Sequence, residues 1–418
     1  MNIYGIVIFI ALLVDYALHT VSETLNVRAL DRHPPDTMAS LYGSEALDRA
    51  RRYIRAVTTQ STLERTVVLL VLLAFWFAGG FEWLDVLVRQ WFTSELARGL
   101  VYIGLLIFGY ILLSMPFDVY GTFVTETRFG FNRTTWQTFL SDRVKGLLIT
   151  ATIGGALLSG ILLLFIHAGN IAWILCWLVV VVFSLVTQWL GPALLLPLFN
   201  RFEPMREGDL KESIMQYARS VRFPLQNVYV VDGSRRSSKA NAYFTGLGRQ
   251  RRIALFDTLI DRHSIDEIVS VLAHEVGHFR LRHITKGLVL GTVHAGVAFF
   301  LLDFFLGQPG LYQAFYLSQS SVYTGLVAFG LLYTPVETGL SIGANLISRR
   351  HEYEADRFAV NTAPQPGSLP TALKTLHVSN LTHPNPHWFH VFLNYSHPPL
   401  ARRLEAIDEQ LKLRHANA

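Results

Sequence analysis

Apolar residues in this chain gather into long uninterrupted blocks, without the alternation or three-to-four spacing of soluble elements. A membrane helix needs about 20 predominantly apolar residues. Residues 3–14 read as a first span, with Asp15 and His19 near its end. No Lys or Arg precedes that block and no A-x-A site follows it, which disfavours a cleaved signal peptide. Residues 66–81 are uncharged and the block continues past Glu82; residues 99–117 are uncharged throughout. Residues 146–200 hold no Asp, Glu, Lys or Arg, enough for two spans that turn at "HAGN", residues 167–170. Residues 287–302 and 322–336 complete a set of seven, the last extending past Glu337 toward Asn345.

Two polar segments remain. Within residues 202–286, a helical period near 210–221 gives way to three short strand patterns at 227–233, 241–247 and 252–257. From Ser264 the helical period returns. Residues 348–418 read as helical around 349–361 and 399–413. Together the polar segments predict one small α+β domain, split by spans six and seven. The chain then divides into residues 1–201 with five spans, 202–286, 287–347 with two spans, and 348–418. The fold class is a mainly α, polytopic membrane protein carrying a small α+β domain.

Arginine placement orients the spans. Arg28, Arg32, Arg49, Arg51, Arg52, Arg55 and Arg65 lie between spans one and two. Arg128, Arg133, Arg143 and Lys145 follow span three, whereas the 167–170 turn and the 307–321 connection contain no Lys or Arg. An outside N-terminus puts every Arg-rich segment, and the polar domain, in the cytosol. Pro116, Pro192, Pro197 and Pro335 each remove a helix hydrogen bond within or beside a span, which predicts kinks packed against neighbouring helices. Asp118 and Glu337, at span edges, read as interfacial or paired carboxylates.

Composition supports the same class. Hydrophobic residues make up 51% and charged residues 16%, against about 25% charged in soluble domains. The net charge of +5 comes without a Lys/Arg run, which excludes a nucleic-acid partner and leaves the lipid bilayer. Cys176 is the one cysteine and sits in an apolar run, so neither a disulfide framework nor a cysteine metal site is available.

The candidate chemistry lies in "VLAHEVGHFRLRH". His274 and His278, four apart on a helix, stand about 40° apart on one face and are able to share a zinc ion. Glu275, rotated about 100° from His274, reaches a water beside the metal and not the metal. A third ligand is needed, with one position left open. His283 stands about 140° beyond His278 on a continuous helix and points elsewhere. Glu352 in "SRRHEYEADRFAV" is the best third ligand, with Asp356 on its face to orient a ligating histidine. Glu354 projects to the opposite side and reads as solvated. His383, His387 and His390 in "THPNPHWFH" invite a second metal site but fit a solvated or interfacial loop better.

"HEVGH", "SRRHEYEADRFA", "KANAYFTGLG" with "RIALFDTL", and "YSHPPLARRL" together resemble the type I CAAX prenyl endopeptidases, integral-membrane zinc proteases of the gluzincin group. "PFDVYGTFVTETRFGFNRTT" and "LLLPLFNRFEP" extend the resemblance to almost the whole chain. It implies seven helices around a water-filled chamber, with one zinc per chain at its cytosolic end. His274, His278 and Glu352 would bind zinc, and Glu275 would act as general base. His397 and Arg403 would support the oxyanion or the substrate backbone. Asn241 and Ala242 would lie on an edge strand that holds a peptide or protein substrate, including one with a prenylated C-terminus. Lys239–Ala240 stands where many relatives have His–Ser, which puts local substrate contacts in question. The rival readings are a membrane-protein quality-control protease without prenyl specificity, and a transporter or receptor with structural zinc.

Overall fold

The structure, a computed structural model, describes all residues except 36, 37, 39, 246–250, 417 and 418, and for 242–245, 251 and 252 it describes the backbone only. Among the described residues seven helices are long and apolar enough to cross a membrane. The first two are α1 (Ile3–Ala29) and α2 (Ser44–Phe77). A short helix, α3 (Gly80–Trp91), precedes α4 (Glu95–Tyr120), which runs on through a π-helical turn at Gly121–Glu126. The fourth span joins α5 (Trp136–Ile149) to α6 (Gly155–His167) through a second π-helical turn, Thr150–Gly154. The fifth contains α7 (Ala172–Leu194).

Two of these boundaries differ from the sequence reading. Helix α1 continues fifteen residues past Val14, so Asp15 and His19 lie in mid-helix and not near its end. The Thr338 hydroxyl donates to Asp15 Oδ1 at 2.9 Å, and His19 Nε2 lies 3.7 Å from the same oxygen. Polar groups satisfied by a facing helix do not end a span. The second span stops at Phe77, because Gly79 takes a left-handed conformation (φ 74°) that reverses the chain into α3. Pro116 lies inside a helix that runs on beyond it. Asp118 and Glu337 are paired, at 2.9 Å from Arg143 Nη2 and 3.1 Å from His294 Nε2.

The polar half begins with β1 (Phe202–Pro204), α8 (Asp209–Ser220) and β2 (Leu225–Val231). It continues through β3 (Ala242–Thr245), β4 (Arg251–Phe256) and α9 (Ile265–Arg280). Two membrane helices follow, α10 (His283–Leu306) and α11 (Val322–Thr362), then α12 (Ser368–Ser379), α13 (Trp388–Asn394) and α14 (Leu400–Ala416). Helix α11 is one continuous element of 41 residues, running through Pro335 and carrying both the seventh span and the EYEAD segment. The sheet order is β1-β2-β4-β3, with β2 and β4 parallel and both outer pairs antiparallel. The three-residue β1 is too short to leave a pattern in the sequence.

Of three hydrophobic cores, two lie at opposite ends. One buries Trp76, Phe81, Tyr102, Leu162, Phe315 and Tyr323, where the spans converge. There Asn2 donates to the Gly310 carbonyl (2.6 Å) and Trp76 to that of Ala314 (2.8 Å), so the N-terminus and the 307–321 connection share one end. The other core is that of the polar domain, built on Ile214, Val228, Ile253, Ala273, Val276 and Ile407. In the most apolar window of each span only 6–22% of residues are buried, so packing concentrates at the ends. Arg236 clamps Asp142 with two hydrogen bonds (2.7 and 2.9 Å), and Lys239 Nζ lies 3.1 Å from Glu126, tying the polar domain to the spans.

Candidate metal centre

Helix α9 starts on a capping box in which Ser264 and Glu267 exchange hydrogen bonds between side chain and backbone. Its inner face buries Ile268, Val269, Leu272, Ala273 and Val276 in the domain core, which fixes the rotation of the motif. His274 and His278 then point the same way, with Nε2 atoms 3.1 Å apart. Helix α11 crosses α9 closely. A Cβ on Gly277 would stand 3.1 Å from Ala355 Cα and 3.2 Å from its carbonyl oxygen. That approach carries Glu352 to the histidines: Oε1 lies 3.2 Å from His278 Nε2, and Oε2 lies 3.5 Å from His274 Nε2.

Behind this trio stands a buried charge network. His274 Nδ1 is 2.8 Å from Asp356 Oδ1. Arg403 donates to both Asp356 oxygens, from Nε at 2.8 Å and Nη2 at 2.6 Å, while its Nη1 lies 3.4 Å from Glu352 Oε2. Glu352, Asp356, His274 and Arg403 are 3%, 2%, 8% and 9% exposed, too buried to bear charge without one another. Burial works against a charged His274 ring, yet Asp356 and Glu352 more than offset it and raise its pKa to about 9. The pocket thus favours a positive charge where the two imidazoles and the carboxylate meet.

The donor set fits a divalent ion. Ligand atoms of His274, His278 and Glu352 all lie within 4.8 Å of one another. Glu352 Oε2 is buried and, among the described residues, accepts no hydrogen bond. Two imidazoles and one carboxylate suit zinc, leaving room for a fourth, exchangeable position. Glu354 is turned away from the trio, as its spacing predicts, but it is not a free solvated group. It accepts from Arg350 Nε at 3.0 Å and lies 3.0 Å from His283 Nε2. His283 faces the back of His278, Nδ1 to Nδ1 at 3.0 Å. The 140° displacement fails because α9 ends at Arg280 and Arg282 takes a left-handed turn, φ 57°.

A cleft of about 240 Å³ opens over His274 and Glu352, with Asn241, Glu275, His397 and Arg403 on its wall. The Glu275 carboxylate has no hydrogen bond or ion pair among the described residues and is left to face the cleft. His397 is held by Ser396 Oγ at Nδ1 (2.9 Å), with Nε2 3.3 Å from Glu352 Oε1. Arg403 is more occupied than the sequence suggests, since Asp356 takes two of its nitrogens. Asn241 precedes edge strand β3, and its carbonyl accepts from the Phe256 amide at 3.1 Å. Ala242 opens β3 opposite Leu255; its side chain lies outside the described residues.

Sequence reasoning missed the cleft's apolar wall. Leu369, Leu373 and Leu376 line it from α12, a helix whose i, i+4, i+7 leucine spacing was the available signal. It also left the 383–390 histidines between a solvated and an interfacial loop; among the described residues they form no metal cluster. His383 is 5% exposed and donates from Nε2 to the Asn26 carbonyl at 2.9 Å, while its Nδ1 accepts from the Asn385 amide at 3.1 Å. His390 Nδ1 bonds Ser22 Oγ at 2.9 Å. The loop docks on the end of α1 through His383, His387 and His390 while Trp388 stays exposed, which excludes a freely solvated loop and leaves the interfacial alternative.

Comparison with known proteins gives the same assignment in both halves. Residues 24–201 match the CAAX prenyl protease N-terminal family, described as five membrane helices, and residues 204–411 match peptidase family M48. The CAAX prenyl protease 1 homolog of Arabidopsis thaliana is 33% identical over 410 residues, 96% of each chain. CAAX prenyl protease 1 of Saccharomyces cerevisiae is 37% identical over 339 residues, 77% of this chain and 74% of that one. The crystal structure of S. mikatae Ste24p superimposes with a TM-score of 0.92 at 31% identity, covering 98% of this chain and 100% of that one. The chain belongs to the CAAX prenyl protease family of M48 membrane metalloendopeptidases.

Proposed function

We propose that this protein is a zinc-dependent endopeptidase that cuts C-terminally prenylated peptides at the cytosolic end of a chamber enclosed by its spans. The observation that carries the reading is the meeting of His274, His278 and Glu352 beside a cleft that His274, Glu352 and Glu275 line. In this reading His274, His278 and Glu352 hold one zinc, which when bound supplies a Lewis acid that lowers the pKa of a water to about 7. Glu275 takes the proton of that water as it attacks the scissile carbonyl, and returns it to the leaving amine. His397 donates to the developing oxyanion from the cleft wall. Asp356, held by Arg403, fixes the His274 ring, and Arg403 Nη1 adds positive charge beside the carboxylate ligand. The peptide adds as a further strand along Asn241, Ala242 and the rest of β3, its backbone paired and its side chains directed toward the leucines of α12.

Prenyl specificity is supported by the relatives' names and by a site where membrane helices meet the peptidase half, the place to which a lipid-anchored C-terminus would be delivered. Glu275→Gln tests the chemistry. It keeps about one zinc per chain, measured by elemental analysis, while cleavage of a fluorogenic prenylated peptide falls below detection. Normal cleavage by this variant would remove the protease mechanism. An unprenylated peptide of the same sequence is cut at least tenfold less efficiently; equal rates would favour general cleavage of membrane proteins.

A further inference from the structure

Where the metal helix ends, His283 stands five residues after His278. Its ring is 5% exposed, with Nδ1 3.0 Å from His278 Nδ1 and Nε2 3.0 Å from Glu354 Oε2. Arg350 Nε donates to the second Glu354 oxygen at 3.0 Å. His351 stacks flat on the His283 ring, centroids 3.9 Å apart and planes 7° from parallel, which fixes the ring's plane.

Proton placement along this chain is determined step by step once His278 binds zinc through Nε2, the reading proposed above on which this inference rests. A ligating nitrogen needs its lone pair, so His278 carries its proton on Nδ1. That N–H faces His283 Nδ1, which must therefore accept. A neutral His283 then has its proton on Nε2 and donates it to Glu354. We infer that His283 and Glu354 are positioning residues for His278, selecting its zinc-binding tautomer and holding its ring. The two ligating histidines are then each backed by a carboxylate. Asp356 touches His274 directly, and Glu354 reaches His278 through an interposed imidazole.

The same proton placement argues against a second metal. Donor atoms of His283, His351 and Glu354 also lie within 4.8 Å of one another. A metal on His283 Nε2 would drive the His283 proton to Nδ1, directly against the proton on His278 Nδ1. Filling the outer group therefore opposes zinc in the inner one, and the chain is expected to hold one zinc.

The test measures zinc release from the full-length protein to a chelator, beside zinc content, thermal unfolding and the visible spectrum of the Co²⁺-substituted form. His283→Phe fills the space without an acceptor, and is expected to release zinc about 10–100-fold faster and to shift the Co²⁺ spectrum. His283→Gln, whose amide oxygen accepts from His278, recovers most of the retention. Glu354→Gln keeps an acceptor for His283 and stays near wild type, whereas Glu354→Leu speeds release. Wild-type release from a folded His283→Phe overturns the inference; should that variant not fold, wild-type release from Glu354→Leu does so. Two zinc ions per wild-type chain also overturn it. A His274→Ala control separates the layers. If wild type holds a zinc that His274→Ala loses, yet the His283 and Glu354 variants match wild type, only the positioning role fails. If wild type holds none, the zinc site itself fails.

Discussion

Glu352 and Glu354 differ by two positions on one helix, and that offset separates the candidate ligand from a residue turned away from it. About 200° of rotation lies between them, so only one is able to face the motif histidines. Glu352 does, with one oxygen buried and free of hydrogen bonds, while Glu354 is spent on His283 and Arg350. Glu352→Ala is expected to lose zinc and peptide cleavage together. Asp356→Asn keeps the size of the side chain but weakens its hold on His274 and Arg403, so zinc affinity or activity falls about 10–100-fold. Asp356→Ala goes further, leaving the Arg403 guanidinium buried without its main partner, a defect that typically costs about 3–5 kcal/mol. Zinc content, cleavage rate and thermal midpoint on the same preparations check all three. Zinc retained at wild-type affinity in Glu352→Ala would show that the third ligand is another group. The pairing of His274 with His278, and of Glu352 with Asp356, was legible in sequence because helical spacing determines which side chains share a face; that the two pairs meet depends on the crossing of α9 and α11. The link from His283 to Glu354 was not, because it depends on a left-handed Arg282, and an arginine gives no warning of that conformation.

Helices α9 and α11 hold the site only as firmly as they cross, and the crossing depends on Gly277 and Ala355. A methyl group at Gly277 gains up to about 1 kcal/mol of helix propensity. Against that, it stands 3.1–3.2 Å from the α11 backbone, and overpacking of this kind costs about 1–3 kcal/mol. The steric term wins. Gly277→Ala is therefore expected to weaken zinc binding about tenfold with a small loss of thermal stability, and Gly277→Val to do markedly worse; a Gly277→Val protein with wild-type zinc affinity would contradict this. A second element, the loop from Leu381 to α13, docks on α1 through His383. Both His383 nitrogens are engaged, one donating and one accepting, and burial lowers its pKa to about 4. The unfolded ring titrates near 6.5. Stability from this contact is thus complete above about pH 6.5 and is lost as pH falls toward 4, because the undocked ring binds the extra proton. Hydrogen exchange across residues 380–395 should rise over that interval in wild type and be raised already at pH 7 in His383→Ala; a flat profile in wild type would sink the idea. The spans themselves were readable because apolar blocks require no partner to be recognised. Their ends were less so. Asp15 stays in a helix because Thr338, more than 300 positions away, supplies a hydrogen bond that local sequence does not announce.

Across the whole molecule, α11 links the two cores as one rod of about 60 Å, from 41 residues at 1.5 Å each. A hydrocarbon layer of about 30 Å takes only some 20 of those residues. From Val322 at the distal end to Glu352 is about 45 Å, which carries the third ligand roughly 15 Å beyond one bilayer's worth of helix. The candidate metal centre then lies past the apolar stretch of α11, at one end of the spans. Which side that end faces is a question of charge. The N-terminus and the 307–321 connection meet at the distal end, through Asn2 and Gly310, and the connection carries no Lys or Arg. At the end that holds the candidate metal site, Arg49 donates to the Phe129 carbonyl and Arg414 of α14 to that of Ala363 (3.3 Å), so the Arg-rich segments and the last helix cluster together. Positive residues near span ends are retained in the cytosol. Reporter fusions at Ala418 and within residues 307–321 are therefore expected to give opposite signals, the first cytosolic and the second outside. Substituting Glu for Arg49, Arg51, Arg52 and Arg55 together should erode that orientation, because it removes charge from the first short segment, which usually dominates insertion. Cytosolic signal from the 307–321 fusion would reverse the assignment and place the peptidase half outside, away from any substrate prenylated in the cytosol. Identical signals from both fusions would contradict the opposite ends at which helix α14 and the 307–321 connection lie.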